Sequence, residues 1–247
     1  MCYQLLRNKK RRNTGLANTL KTYEYLLFDI DNTLMDFSAG EKAALFQTME
    51  ELGTPISGAD HLKYTQINAD VWGRFELGLL DSRGVQRVRF EEFAAHLKRD
   101  PAEAQALNDR YVENLGRQAI LLAGAADMLR RLKERYRIAA VTNGLHLVQR
   151  ARLERSGLLP LLDGVFISQE MGVQKPSREY FDAVLAAFGD GDRAKYLVIG
   201  DSLSADIQGG VNAGIDTCWF NPKGAEQGEI QPTYTAGSFE ELLALLL

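Results

Sequence analysis

Tyr25-Leu-Leu-Phe-Asp-Ile-Asp-Asn-Thr33 is the stretch that decides the fold of this 247-residue chain. The apolar run from Tyr25 to Ile30 does not alternate, and it ends abruptly in Asp31-Asn32-Thr33. Such a run, apolar on both faces, suits a strand of a parallel sheet that helices cover above and below. Four later runs read the same way: Arg137-Ile-Ala-Ala-Val-Thr142, Gly164-Val-Phe-Ile-Ser168, Tyr196-Leu-Val-Ile-Gly200 and Asp216-Thr-Cys-Trp-Phe220. Helical periods lie between them, at 145–155 with Gly157 as a stop and at 177–188 with Ser177 as a cap behind Pro176. Strands alternating with helices predict a doubly wound, Rossmann-like parallel α/β sheet.

One stretch breaks the alternation. Residues 38–121 carry only helical periods, at 41–52, 59–75, 83–98 and 101–116, with Trp72, Phe75, Phe90, Phe93 and Tyr111 spaced to build a core of their own. An insertion of this length is too large for a crossover. It is read as a smaller helical domain over the carboxyl edge of the sheet, with residues 23–37 and 122–247 forming the main domain.

Composition removes other classes. Apolar residues at 45% and charged residues at 25% are those of an ordinary globular protein. No uncharged run reaches the ~18 apolar residues of a membrane span, so no membrane is expected as a partner. Two cysteines without metal spacing suit a reducing cytoplasm. The net charge of −4 hides an asymmetry: Arg7, Lys9, Lys10, Arg11, Arg12 and Lys21 leave 23 basic against 33 acidic residues in the remainder. An acidic body argues against nucleic acid as the main partner. No apolar stretch follows Arg12, so residues 1–22 read as a basic, flexible tail rather than a secretory signal.

The chemistry collects at strand ends. Asp29 and Asp31 stand at the end of the first run, Thr142 and Asn143 at the end of the second, and Asp201 directly after the fourth. Ligands of open α/β sheets bind outside the carboxyl ends of strands, at the point where the strand order reverses. With the first strand central, these groups converge. Any one aspartate after a strand is ordinarily a turn or cap residue. Several converging without basic neighbours point to a hard cation with oxygen ligands, Mg²⁺ with a phosphate substrate being the commonest case. His61, His96 and His146 have no metal spacing, and Gly209-Gly210 fits neither a dinucleotide fingerprint nor a P-loop.

Asp29-Ile-Asp31-Asn-Thr33, Val141-Thr142-Asn-Gly144, Lys175-Pro176 and Gly200-Asp201-Ser-Leu-Ser-Ala-Asp206 stand in the order of the four motifs of the haloacid dehalogenase superfamily, which the chain resembles from about Tyr23 onward. The helical insertion resembles that superfamily's C1 cap. Glu170-Met-Gly-Val-Gln-Lys-Pro176 and Cys218-Trp-Phe-Asn221 resemble, more narrowly, pyrimidine 5′-nucleotidases of the YjjG type. The resemblance implies a Mg²⁺-dependent phosphomonoesterase acting on a small phosphorylated metabolite, a nucleoside monophosphate in the narrower case. Asp29 is then the nucleophile that forms an aspartyl-phosphate. Asp31 is the general acid for the departing oxygen and later the base for water. Thr142 and Asn143 bind the phosphate near a helix start, where free N–H groups favour an anion. Lys175 offsets charge on the phosphate and on Asp29. Asp29, Asp31 (through its main-chain carbonyl) and Asp201 hold the metal, and Asp206 orients a metal-bound water or Lys175.

Two other chemistries fit the same scaffold. A phosphosugar phosphatase or mutase shares every one of these residues and differs only in the cap. A metal-free 2-haloacid dehalogenase would leave Asp31, Asp201 and Asp206 without a task. The motifs read only the phosphate, so specificity falls to the cap, where Asn68, Trp72, Arg74 and Phe75 are the candidates. Trp72 and Phe75 read equally as core of the cap.

Overall fold

The computed structural model describes residues 22–247, so the basic segment expected at the start lies outside the described residues apart from Thr22. The chain runs β1 (Tyr25–Phe28), α1 (Phe37–Glu51), α2 (Gly58–Glu76), α3 (Ser82–His96), α4 (Ala104–Arg117), α5 (Ala125–Lys133), β2 (Arg137–Thr142), α6 (His146–Ser156), β3 (Gly164–Ile167), α7 (Ser168–Met171), α8 (Arg178–Phe188), β4 (Tyr196–Gly200), α9 (Gln208–Ala213), β5 (Asp216–Phe220), β6 (Tyr234–Ala236) and α10 (Phe239–Leu246). The six strands form one parallel sheet in the order β3-β2-β1-β4-β5-β6. The order reverses at β1, which puts its carboxyl end between those of β2 and β4.

Both faces of this sheet are buried. Leu26, Phe28, Ile138, Ala140, Leu197 and Ile199 pack on one side with Met128, Leu129 and Leu132 of α5 and Leu242, Leu243 and Leu246 of α10. The alternate residues Tyr25, Leu27, Ala139, Val141, Tyr196 and Val198 pack on the other side with Tyr180, Phe181, Val184 and Leu185 of α8. That is why these strands read as unbroken apolar runs. Two expectations need correcting. β3 is an edge strand with three of its four residues half-buried, because nothing pairs beyond it. β6 escapes a sequence reading because it is three residues long, held by its register against Cys218–Phe220.

Local signals set the helix ends. Gly157 closes α6 in the left-handed region at φ 71°, and Ser177 caps α8 by accepting from Tyr180 N. Ser57 and Asp60 form a reciprocal capping box at the start of α2. Helices α1–α4 enclose their own cluster of Tyr64, Val71, Phe90, Phe93, Leu107 and Tyr111, which extends into the main body through Leu145 and Val148. The two chain segments that join this helical insert to the sheet run side by side: Asp36 N donates to Ile120 O, and Leu122 N to Leu34 O, at 2.9 and 3.0 Å. Among the described residues no helix is long and apolar enough to cross a membrane.

Candidate active site

Asp29 follows β1 directly, and its N–H donates to Ile199 O at 2.8 Å, so the pairing with β4 runs on to the residue itself. The chain then turns at Asn32, whose φ of 58° lies in the left-handed region that asparagine tolerates better than most residues. Buried Thr33 accepts from Asp201 N through its hydroxyl at 3.1 Å, tying the loop after β1 to the loop after β4. The indole of Trp219 holds the Asp201 carbonyl from β5 at 2.8 Å.

Lys175 reaches the same place from the loop before α8, with its peptide bond to Pro176 cis. Its side chain is 2% exposed, and its ammonium donates to Asp29 Oδ1 at 2.8 Å, Asp206 Oδ1 at 2.6 Å and Val141 O at 2.9 Å. An ammonium has three protons, so none of its donors is left over. Its backbone is clamped as well. Asn143 accepts from Lys175 N through Oδ1 at 3.0 Å and donates Nδ2 to Lys175 O at 2.8 Å. Asp206 completes the arrangement by accepting from Ser202 N through Oδ2 at 3.1 Å. A Cβ at Gly200 would stand 2.2 Å from that oxygen, so a glycine is what lets Asp206 approach the strand end.

These groups line one cavity of about 250 Å³ between the strand ends and the helical insert. Asp29, Asp31, Thr142, Asn143, Lys175, Asp201 and Asp206 all border it. From the insert come Trp72 and Glu76 of α2, Arg89 of α3 and Leu115 of α4. Thr142 is not the cap of α6; that position belongs to Leu145. The Thr142 hydroxyl accepts from Gly144 N at 3.0 Å and from Gln149 Nε2 at 2.8 Å, which leaves its own proton to donate.

The expectation for the insert needs correcting at three of its four residues. Trp72 borders the cavity, edge-on to Phe75 at 5.3 Å between ring centres. Phe75 is 3% exposed within the insert's own apolar cluster, and it does not border the cavity. Arg74 turns to the surface, where Asp70 and Glu92 take its guanidinium. Asn68 is buried beside Arg89.

Four polar cavity residues have no counterpart in the sequence reading. Gln149 and Arg152 reach from α6 and donate to Asp31 Oδ2 and Oδ1 at 2.8 and 2.5 Å, holding both oxygens of that carboxylate. Arg152 is 1% exposed. Glu76 has its carboxyl pushed up by burial, with Ser204 drawing it back. Arg89 is the fourth. The detectable signal is common to the two arginines and Gln149: each is a polar residue on the apolar stripe of its helix.

The electrostatics of the acid cluster bear on a metal. Burial pushes the Asp29 carboxyl well above the carboxylate range; Lys175 opposes this, while Asp206, Asp201 and Asp31 add to it. Asp201 is pushed up to about 7, by burial first and by Asp206 and Asp31 next. Burial acts to lower Lys175, but Asp206 and Asp29 outweigh it and hold the ammonium charged. One oxygen each of Asp29, Asp201 and Asp206 lies within 4.8 Å of the others. Three carboxylate oxygens this close, with one ammonium among them, fit a hard divalent cation with oxygen ligands. Asp206 already spends both oxygens on Lys175 and Ser202, so Asp29 and Asp201 are its better donors. The Asp31 carboxylate is engaged by Arg152 and Gln149.

A family of haloacid dehalogenase-like hydrolases matches residues 23–214. The chain belongs to that family. This hydrolase is 39% identical over 226 residues to the pyrimidine 5′-nucleotidase PynA of Streptococcus pneumoniae, covering 91% of this chain and 95% of that protein. It is 34% identical over 225 residues to the pyrimidine 5′-nucleotidase YjjG of Escherichia coli, covering 91% and 98%. Among solved structures, the putative hydrolase YfnB of Bacillus subtilis, bound to magnesium, superposes with a TM-score of 0.86 at 37% identity, covering 92% of this chain and 99% of that one. The hydrolase is thus an enzyme with the doubly wound sheet that its apolar runs predict.

Proposed function

We propose that this hydrolase is a Mg²⁺-dependent phosphomonoesterase that works through an aspartyl-phosphate, with pyrimidine nucleoside 5′-monophosphates as substrates. The observation that carries the reading is the triple contact of Lys175, which fixes the Asp29 carboxylate at the floor of a cavity that Asp31 also borders. The nucleotide class rests on the names of two relatives at 39% and 34% identity.

In the first half-reaction an Asp29 oxygen bonds to phosphorus, the bond from phosphorus to the 5′ oxygen breaks, and Asp31 gives that oxygen a proton. In the second, water attacks phosphorus, Asp31 takes its proton, the Asp29–phosphorus bond breaks and phosphate leaves. Thr142 donates its hydroxyl proton to a phosphate oxygen, and the Asn143 N–H is the second donor. Lys175 offsets charge on both partners as they approach. Gln149 and Arg152 fix the carboxyl of Asp31 toward the cavity. Asp29 and Asp201, with the Asp31 carbonyl, would hold Mg²⁺, which supplies charge to the phosphoryl oxygens.

Residues 38–121 act as the cap in this reading. Water has to be excluded before the acyl-phosphate forms, so the insert closes over the substrate, hinged where residues 34–36 and 120–122 run side by side. A closed cavity penalises a purine ring and a longer phosphate chain.

Phosphate release across a panel of nucleotides and sugar phosphates, with and without EDTA, tests this. UMP, dUMP and dTMP should outrank AMP, GMP and the triphosphates; activity should vanish in EDTA, return with Mg²⁺ and fall with Ca²⁺, whose looser shell misplaces Asp29. Sugar phosphates outranking every nucleotide would replace the nucleotidase reading with the phosphosugar one. Full activity in EDTA would remove the metal.

A further inference from the structure

The roof of the cavity holds a buried cation with no acid in contact. Arg89 sits at the middle of α3, 1% exposed, and borders the cavity that also holds Asp29 and Lys175. Its Nη1 donates to Asn68 Oδ1 at 3.2 Å and its Nη2 to Asn108 Oδ1 at 3.4 Å, while Nε is buried without a partner. The rings of Phe90 and Tyr111 lie 5.2 and 4.8 Å from the guanidinium carbon and fix its plane. Among the described residues no carboxylate forms an ion pair with it. Glu41 feels its charge at longer range, but burial pushes that carboxyl up to about 7, so it is an incomplete counter-charge.

A buried guanidinium is expensive unless its donors are met, and it can only donate. The two amide oxygens meet it at long range, which leaves the cavity as the place from which a better acceptor comes. The same cavity already holds the groups that would take a phosphate. A molecule anchored there by its phosphate would have the rest of the cavity lining, Arg89, Trp72, Leu115 and Val148 among it, to meet its other end. Apolar walls that include an aromatic ring suit a flat, neutral group with acceptors on its edge better than a second anion.

We propose that Arg89 determines specificity by donating to the 4-carbonyl oxygen on the base of a 2,4-dioxopyrimidine nucleotide, that is, a uridylate or thymidylate. This rests on the nucleotidase reading and adds the group that recognises the base. Uracil and thymine offer acceptors at both carbonyls, whereas cytosine replaces one of them with a donor amine that a guanidinium repels. A hydrogen bond to a charged group is worth about 10- to 100-fold in affinity.

The test compares the wild type, Arg89→Met and Arg89→Lys on dUMP, dCMP and 2-deoxyribose 5-phosphate by steady-state kinetics, with thermal unfolding alongside. In Arg89→Met the ratio of kcat/KM for dUMP to that for the base-free sugar phosphate should fall about 10- to 100-fold, through KM. The preference for dUMP over dCMP should shrink in the same variant. Arg89→Lys, which keeps the charge and loses the fork, should fall between. Thermal unfolding shows that each variant is folded, and a change in the ratio between substrates is what a merely structural arginine would not produce. Equal losses on all three substrates or an unchanged dUMP:dCMP ratio would each overturn the proposal. A wild type that cleaves sugar phosphates but not dUMP refutes the nucleotidase reading first, and shows it before any variant is made.

Discussion

Lys175→Met is the substitution whose cost can be worked from the geometry. Methionine nearly matches the lysine stem in length, so the change removes an ammonium and little volume. Left behind are Asp29 at 6% exposure and Asp206 at 1%, with their common cation gone and the Val141 carbonyl without its donor. Removing one partner of a buried pair costs about 3–5 kcal/mol, because the charge that remains cannot return to water. For a chain of this size, Tm should fall about 6–20 °C, at roughly 2–4 °C per kcal/mol. Turnover should fall by about 10²–10³ or more, as for loss of one preorganised charge-stabilising donor.

A general loss of fold would look similar, so the partner substitution belongs in the experiment. Asp206→Asn keeps an oxygen for Ser202 N and drops the charge that faces Lys175. The double variant removes a charge from each side of the pair. It should therefore lose less than the two single variants summed, by about 1–3 kcal/mol. Thermal and urea unfolding of the four proteins, all in EDTA, measure this coupling. Additive losses, or a Tm within about 2 °C of wild type for Lys175→Met alone, would show that the ammonium does not hold the two acids together.

Asp29→Asn should reduce turnover below about 1% of wild type while Tm stays level or rises, since an amide cannot attack phosphorus and the substitution relieves crowding among acids; measurable residual turnover would move the nucleophile elsewhere. Gly200→Ala should inactivate the enzyme and lower Tm, because its Cβ would stand 2.2 Å from Asp206 Oδ2 and displace that carboxylate from Lys175; a fully active variant would deny Asp206 its positioning role. Trp72→Ala should lower kcat/KM for dUMP about 5- to 100-fold relative to 2-deoxyribose 5-phosphate, the range of base stacking on an aromatic ring. Equal losses on both substrates would assign Trp72 to packing of the insert.

The strand-end groups could be read from sequence because the backbone alone places them. A side chain that follows a buried parallel strand has to emerge at the carboxyl edge of the sheet, so Asp29, Thr142 and Asp201 needed only the strand runs to be located. Lys175 was harder, since no strand or helix carries it, and its position depends on a clamp by Asn143 from 32 residues away. β6 is illegible for the opposite reason: three residues hold too little periodicity to register, and their pairing with β5 is a tertiary fact.

Periodicity ran out in the insert, where it says which face of a helix is buried but not what that face meets. On α2, Trp72 and Phe75 lie three residues apart, and one borders a cavity while the other fills a core. Arg74, another of the candidates, finds Asp70 one turn back and Glu92 on the neighbouring helix, and stays at the surface. The more informative residues were the polar ones out of place. On α3 the buried stripe is Val85, Arg89, Phe90, Phe93 and Ala94, and on α6 Val148, Gln149, Arg152 and Leu153. On α1 the stripe includes Glu41. A charge in a stripe that burial otherwise reserves for apolar side chains is tolerated only where something beyond the helix meets it. For Arg152 that something is Asp31, 121 residues away in sequence. For Arg89 no acid among the described residues makes contact, one of its donors is unmet, and the residue borders the cavity where a substrate would lie. The exception to helical patterning is thus a better guide to specificity than the aromatic residues that obey it.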